Sequence, residues 1–288
     1  MAIDIGIYAL IFLPLALMIG VATSTIGFTA WSIFVPLAFV GMNFFLWDAL
    51  FISVLVDLID ATILTVIYNR NGKVNFKQGG IYAVIAVVAA IFGVVLAFEF
   101  LPKNQNLLRG GVGYVVMLIG LGFFLRGRKG LQKQKTAQLE TDEMKGTSQN
   151  VYENRSEIQR LFSRRMQIIL MVIGVGLSGL LAGLLGIGSG MNFVLLFMII
   201  LSFDTRQATG TGCFIMAILM GVVGGMFFQL VNLTLLWPYL IIAGGFSAIG
   251  TLVGSHYVLK ISEIKLNFVV GTIVIIAAVV STVQSFLL

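Results

Sequence analysis

Apolar residues run along this chain in long segments of the length that a membrane-spanning helix needs. Eight segments approach the roughly 20 residues required to cross the hydrocarbon core of a bilayer. They cover residues 5–27, 47–68, 79–100, 107–125, 166–186, 207–230, 237–259 and 266–288. Two shorter apolar pieces, 30–43 and 189–202, each follow a stretch of glycine and hydroxyl residues that weakens helix continuation. The pattern predicts an all-α polytopic membrane protein.

The second half of the chain repeats the first half in register. A shift of 159 positions places Gly27 on Gly186 and Ala49 on Ala208, and it superimposes the apolar segments. Each half therefore holds four long helices and one short helix after a broken segment. We expect two homologous helical bundles, a first membrane repeat at 1–125 and a second at 166–288, with a substrate site where they meet.

Composition and charge agree with a bilayer environment. Of the 288 residues, 59% are hydrophobic and 10% are charged, and the mean hydropathy is +1.04. The net charge of +6 is concentrated in residues 126–165, where ten Lys or Arg stand against five acids. A basic polar segment between two apolar halves is typical of a cytoplasmic linker. The expected location is the plasma membrane, and the expected partners are the lipid bilayer and a small solute, with no nucleic acid.

The basic residues in the short connections favour an inverted arrangement of the two repeats. If each broken pair enters the membrane and returns, the cytoplasmic connections carry six basic residues and the external ones carry two. A parallel arrangement gives three against five, so the positive-inside bias favours inverted repeats. The six are Arg70, Lys73, Lys77, Arg206, Lys260 and Lys265, and the two are Lys103 and Arg109.

The polar groups at the breaks are the candidate substrate ligands. Glycines at membrane depth leave backbone N–H groups unpaired, and the start of a helix favours an anion. The alternative is close helix packing through small residues, as in the pair Gly186 and Gly190. The candidates in the two breaks and at the start of the next helix are Thr23, Ser24, Thr25, Gly27, Gly186, Gly188, Ser189, Gly190, Asn192, Gln207, Thr209 and Thr211.

Two acids deep in an apolar segment are the candidate coupling residues. Asp57 and Asp60 lie three residues apart in SVLVDLIDATIL, and an ionised carboxylate at the centre of a spanning helix costs at least about 2.5 kcal/mol. Their position suits the binding of a proton or another coupling cation. The alternative is a structural pair that hydrogen-bonds nearby polar side chains. The single cysteine, Cys213, excludes an intrachain disulfide and a cysteine metal cluster, and we predict no cofactor and no metal.

The motifs of the second half resemble those of a known family. GIGSGMNFV at 186–194, followed by QATGTG at 207–212, resembles the sulfite exporter TauE/SafE family, whose repeats carry a glycine-rich turn, an apolar helix and a small hydroxyl segment. The likeness covers both halves. It implies a membrane carrier of sulfite, sulfonates or related sulfur-containing or organic anions. The chain departs from the pattern at Thr29, Ala30 and Trp31, where glycines would stand, and at Gly212, where a serine is expected.

Three classes of function fit these features to different degrees. A secondary transporter that works by alternating access explains the repeat, the paired breaks and the intramembrane acids together. An anion channel explains the first two, and an intramembrane enzyme would need a catalytic pair that the chain does not display. No motif for ATP hydrolysis or acyl transfer stands in a suitable context, so we expect a transporter and not an enzyme. The oligomeric state, the direction of transport and the coupling ion stay open.

Overall fold

The protein is described from a computed structural model, which covers residues 5–27, 29–42, 44–100 and 164–257. The predicted segments 107–125 and 266–288 and nearly all of the linker 126–165 lie outside the described residues. Within them the chain forms helices and no strand, which confirms the all-α prediction. The helices are α1 (Ile5–Ile26), α2 (Trp31–Val35), α3 (Leu46–Arg70), α4 (Phe76–Phe100), α5 (Arg164–Leu185), α6 (Gly190–Ile199), α7 (Thr205–Phe227) and α8 (Leu233–Tyr257).

Five of these helices, α3, α4, α5, α7 and α8, are long and apolar enough to cross a membrane. Large apolar side chains such as Val84, Phe92, Ile173 and Leu235 are exposed along their outer faces. So much exposed apolar surface is stable only against lipid. The chain is therefore a multi-pass membrane protein.

The helix bounds repeat along the chain with the offset found in the sequence. Helix α1, at Ile5–Ile26, and helix α5, at Arg164–Leu185, have bounds that differ by 159 residues at both ends. The first residues of α3 and α7 differ by the same number. The two halves thus share one order of long and short helices.

Each half contains a true helix break at the predicted position. Gly27 and Gly186 both have a φ of +66°, a left-handed conformation that glycine adopts without steric cost and that ends many helices. After the break the chain returns along the helix it has just left. In the first half the ring of Phe34 stacks on Phe12 of α1 at 5.2 Å, and in the second half Leu196 of α6 packs on Gly174 of α5.

The two halves are interlocked, because each packs its outer helices on the other half. Helix α1 lies along α8 in the same direction, with Phe12 near Tyr239 and Ser24 facing Gly254. Helix α4 lies along α5 in the same way. Small residues at these contacts let the helix backbones approach closely, which is the usual mode of packing in a bilayer.

Helices α3 and α7 pack together and run in opposite directions. Trp47, near the start of α3, contacts Phe227 at the end of α7, with ring centroids 5.4 Å apart. Tyr68, near the end of α3, faces Gly210 close to the start of α7. The connection from α3 to α4 and the connection from α7 to α8 therefore lie at opposite ends of this central pair.

Candidate functional site

The two helix breaks touch each other. The N–H of Gly188, in the second break, donates a hydrogen bond of 3.0 Å to Oγ1 of Thr29, in the first. Gly27 lies against Gly190, whose carbonyl carbon is 3.2 Å from the position that a Gly27 Cβ would take. The candidate residues of the two breaks are thus brought into one place, although they are about 160 positions apart in the sequence.

Asp57 binds this junction from α3. Its side chain is fully buried, and its two oxygens accept hydrogen bonds from the Thr29 hydroxyl at 2.6 Å and from the Ala30 N–H at 2.7 Å. Gly188 lies directly against the carboxylate, and a Cβ there would overlap Oδ2. A carboxylate of the chain itself therefore accepts from a backbone N–H at the first break, where the sequence analysis expected backbone N–H groups to bind an anion.

Thr29 is the residue that sequence reasoning missed as a site residue. Its hydroxyl donates to Asp57, while its oxygen accepts from Gly188 and, at 3.3 Å, from the N–H of Trp31. The available signal was its place in the repeat, since Thr29 stands where the second half has Gly188. An exchange of a glycine for a hydroxyl residue at that place adds the donor that Asp57 needs.

Asp60 has different partners from Asp57, although it lies on the same helix. Its Oδ2 accepts a hydrogen bond of 2.6 Å from the Ser247 hydroxyl of α8. Its Oδ1 is buried and has no hydrogen-bond partner. The hydroxyls of Thr23 and Thr251 also face this carboxylate. Asp60 thus belongs to the contact between α3, α1 and α8, and Asp57 to the two breaks.

The hydroxyls of Thr23 and Ser24, before the first break, are directed to their own helix. Thr23 donates to the carbonyl of Ile19 at 2.9 Å, and Ser24 donates to the carbonyl of Val21 at 2.6 Å. Thr25 lies in α1, and its side chain falls outside what the structure describes. Of the three, Thr23 is the one that the structure places beside an acid.

In the second break the hydroxyl is also used within the protein. Ser189 is buried, and it donates a hydrogen bond of 2.7 Å to the carbonyl of Ser178 on α5. Asn192 lies one turn into α6 and is exposed. Gly190 faces the carbonyl oxygen of Gly27. Because it has no side chain, the two breaks can approach each other closely.

The segment Gln207–Gly212 lies in the first two turns of α7. It packs against the connection between α3 and α4. Asp204 caps α7 by accepting from the Gln207 N–H at 2.9 Å, and it also pairs with Lys73 at 3.1 Å. Thr211 accepts from the N–H of Asn75 at 3.0 Å. Thr209 is buried, and Gly212 lies against Gly190 at the start of α6. This segment therefore joins the second break to the connection between α3 and α4.

Asp204 is the acid outside the spanning helices that has a perturbed ionisation. Its partial burial alone would raise the pKa, but the hydrogen bonds from Lys73 and Gln207 and the positive charges of Lys73 and Arg206 lower the pKa below its ordinary value. Among the described residues, no group of three or more His, Cys, Asp or Glu side chains is placed to hold a metal ion. The chemistry available at the junction is that of hydroxyls, backbone N–H groups and two carboxylates.

Comparison with known proteins supplies the family. No curated protein and no solved structure matches the chain. The family model described as sulfite exporter TauE/SafE matches residues 12–281, nearly the full length, which confirms the resemblance seen in the motifs. Membership implies transport of a small anion across a membrane, and it implies no enzymatic activity. Because this match spans nearly the whole chain, the protein belongs to the sulfite exporter TauE/SafE family.

Proposed function

We propose that the protein is a secondary transporter that moves a small anion across the plasma membrane by alternating access. The substrate class that fits is sulfite, a sulfonate or a related sulfur-containing or organic anion. The observation that carries the proposal is the hydrogen bond between Thr29 and Gly188, because it joins the two breaks across the repeats. A transporter built from two repeats binds its substrate where the broken helices meet.

Inverted topology of the two repeats is part of this proposal. The opposite directions of α3 and α7 support it, since equivalent helices that span a membrane in opposite directions belong to inverted repeats. The two equivalent connections, at residues 71–75 and 228–232, lie at opposite ends of the central pair. The distribution of basic residues among the connections then favours a cytoplasmic position for the linker 126–165.

The candidate ligands are the polar groups around the junction. The backbone of Gly188 and Gly190, the hydroxyl of Ser189 and the side chain of Asn192 supply the second half of the site. The first half of the site is supplied by Thr23, Ser24, Thr25 and Gly27. The start of α7 adds Gln207, Thr209 and Thr211. An anion entering here meets the carboxylates of Asp57 and Asp60, so its binding depends on their charge. That dependence is the physical basis for assigning these two residues to coupling with a proton or another cation.

Uptake into proteoliposomes tests the proposal. The purified protein is reconstituted, and uptake of radiolabelled sulfite and of an alkyl sulfonate is measured with and without an inward proton gradient. We expect saturable uptake and counterflow, both reduced at least tenfold in Asp57→Asn. The matched control is Asp48→Asn, which makes the same chemical change in the first turn of α3. Ohmic current without saturation would instead support an anion channel, and absence of flux for every anion tested would contradict the transport function.

A further inference from the structure

Asp57 and Asp60, the two acids deep within α3, have opposite hydrogen-bond environments. Both oxygens of Asp57 accept a hydrogen bond, one from the Thr29 hydroxyl and one from the Ala30 N–H. Asp60 accepts one hydrogen bond, from Ser247 at Oδ2, while Oδ1 is buried without a partner. A buried ionised carboxylate needs donors at both oxygens. The arrangement at Asp57 meets that need, and the arrangement at Asp60 does not.

The hydroxyls that face Asp60 already donate their hydrogens to backbone carbonyls. A hydroxyl has one O–H donor and two acceptor lone pairs. Thr23 donates its hydrogen to the carbonyl of Ile19 at 2.9 Å, and Thr251 donates its own to the carbonyl of Gly20 at 3.2 Å. What these hydroxyls offer to Asp60 is therefore acceptor capacity. An ionised Oδ1 of Asp60 therefore has no donor, and a proton on it removes the charge that needs one.

We propose that Asp60 is the proton-binding residue of this carrier and that Asp57 is a permanently ionised positioning residue that holds the two breaks together. The proposal rests on the transport function above. There the coupling role is given to both acids, and here it is assigned to Asp60 alone. In the proton-bound state Oδ1 of Asp60 carries the hydrogen on the side that faces the hydroxyls of Thr23 and Thr251, and Oδ2 accepts from Ser247. The proton is taken from water on one side of the membrane and released to water on the other.

The groups that face Asp60 leave it without a counter-charge. Among the described residues, the titratable groups that act on it or feel its charge are Asp57 on the same helix and Cys213 on α7. Helices α1 and α8 present the hydroxyls of Thr23, Ser247 and Thr251. An ionised Asp60 would therefore repel both Asp57 and an incoming anion. Proton binding removes that repulsion, so proton binding and anion binding favour each other by linkage.

Infrared spectroscopy tests the assignment without any substrate. A protonated carboxylic acid has a carbonyl stretch that an ionised one lacks. In detergent-solubilised protein at neutral pH we expect this band in the wild type, its loss in Asp60→Asn, and its persistence in Asp57→Asn and Asp48→Asn. The Asp60→Asn amide can accept from Ser247 and donate to Thr23 or Thr251, so this variant should fold. Absence of the band in the wild type, or its persistence in Asp60→Asn, would overturn the proposal.

Transport supplies the second readout. In proteoliposomes Asp60→Asn should keep counterflow exchange of the transported anion and lose its stimulation by an inward proton gradient. Asp57→Asn should lose both, because its amide has one acceptor oxygen for the two donors, the Thr29 hydroxyl and the Ala30 N–H, that hold the first break. If the wild type transports no anion, the transport function fails, and the infrared result still decides which acid carries the proton. Full gradient stimulation in Asp60→Asn would refute the coupling role.

Discussion

Thr29 and Gly188 are joined by a hydrogen bond of 3.0 Å from the Gly188 N–H to the Thr29 hydroxyl oxygen, across 159 residues of sequence. This separation is also the offset of the repeat, so the bond connects equivalent positions of the two halves. The first half has a hydroxyl residue at this position and the second has a glycine. The hydroxyl binds Asp57, and the glycine leaves room for the same carboxylate. The asymmetry of the two halves thus builds one joint site.

Removing the hydroxyl of Thr29 should destabilise the junction. Thr29→Val keeps the shape of the side chain but leaves Oδ2 of Asp57 and the Gly188 N–H without their partner. Each buried polar group left unpaired costs about 1–3 kcal/mol. Thermal unfolding in detergent should show a lower Tm for Thr29→Val and nearly the wild-type value for Thr29→Ser. Thr62→Val is the control, because Thr62 is exposed on α3 and bonds only the carbonyl of its own helix turn. Equal Tm values for Thr29→Val and Thr29→Ser would contradict the role of the hydroxyl.

A side chain at position 188 should clash with the carboxylate of Asp57. In Gly188→Ala the Cβ would overlap Oδ2 of Asp57 and contact Met216, and overpacking of this kind costs about 1–3 kcal/mol. We expect a lower Tm and a loss of anion uptake. Gly176→Ala on α5 is the matched control, since nothing lies within 4 Å of a Cβ there and alanine is the better helix former. A Gly188→Ala protein as stable and as active as Gly176→Ala would show that the carboxylate is free to move away.

The pair Lys73 and Asp204 should contribute a small, pH-dependent stability. Both side chains are about half exposed, at 40% and 53%, so the pair is worth less than about 1 kcal/mol. The folded-state pKa of Asp204 is below its ordinary value of 3.8. Its contribution is therefore present above that value and is lost as the pH falls through the lower folded-state pKa.

Two variants separate the charge of Asp204 from its capping role. Asparagine is also a good N-cap, so Asp204→Asn removes the charge alone, while Asp204→Ala also removes the cap of α7 at a cost of about 0.5–2 kcal/mol. Thermal unfolding at pH 7 should rank wild type above Asn above Ala. At an acid pH below the lowered folded-state pKa of Asp204, the wild type and Asp204→Asn should converge. If the Tm of Asp204→Asn differed from that of the wild type by the same amount at both pH values, the charge of Asp204 would not be the source of the difference.

Cysteine labelling should report the two equivalent connections on opposite sides of the membrane. Asn71, after α3, and Asn232, before α8, are both exposed. Single cysteines at these positions, in a Cys213→Ala background, are treated in intact cells with a membrane-impermeant maleimide. We expect Asn232→Cys to be labelled from outside and Asn71→Cys only after permeabilisation. Labelling of both from the same side would contradict the inverted topology.

The number and order of the described helices could be predicted from local features of the chain. The length of each apolar segment sets a spanning helix, and the glycines at 27 and 186 set the breaks, because a left-handed residue ends a helix whatever surrounds it. The observed bounds of the long helices differ from the predicted ones by a few residues. The family likewise followed from short motifs, since these motifs consist of neighbouring residues.

The roles of the polar residues depended on contacts that no local pattern contains. Asp57 and Asp60 look alike in sequence, but Asp60 is bonded to Ser247, 187 residues away, and Asp57 to the breaks. Thr211 was a candidate for the substrate site, and the structure shows it bonded to the backbone of Asn75. Sequence determined where helices form and stop, because backbone conformation and apolar length are local properties. Only the tertiary structure decided which buried oxygen has a donor, because in a bilayer each polar group is satisfied by whichever helix packs beside it.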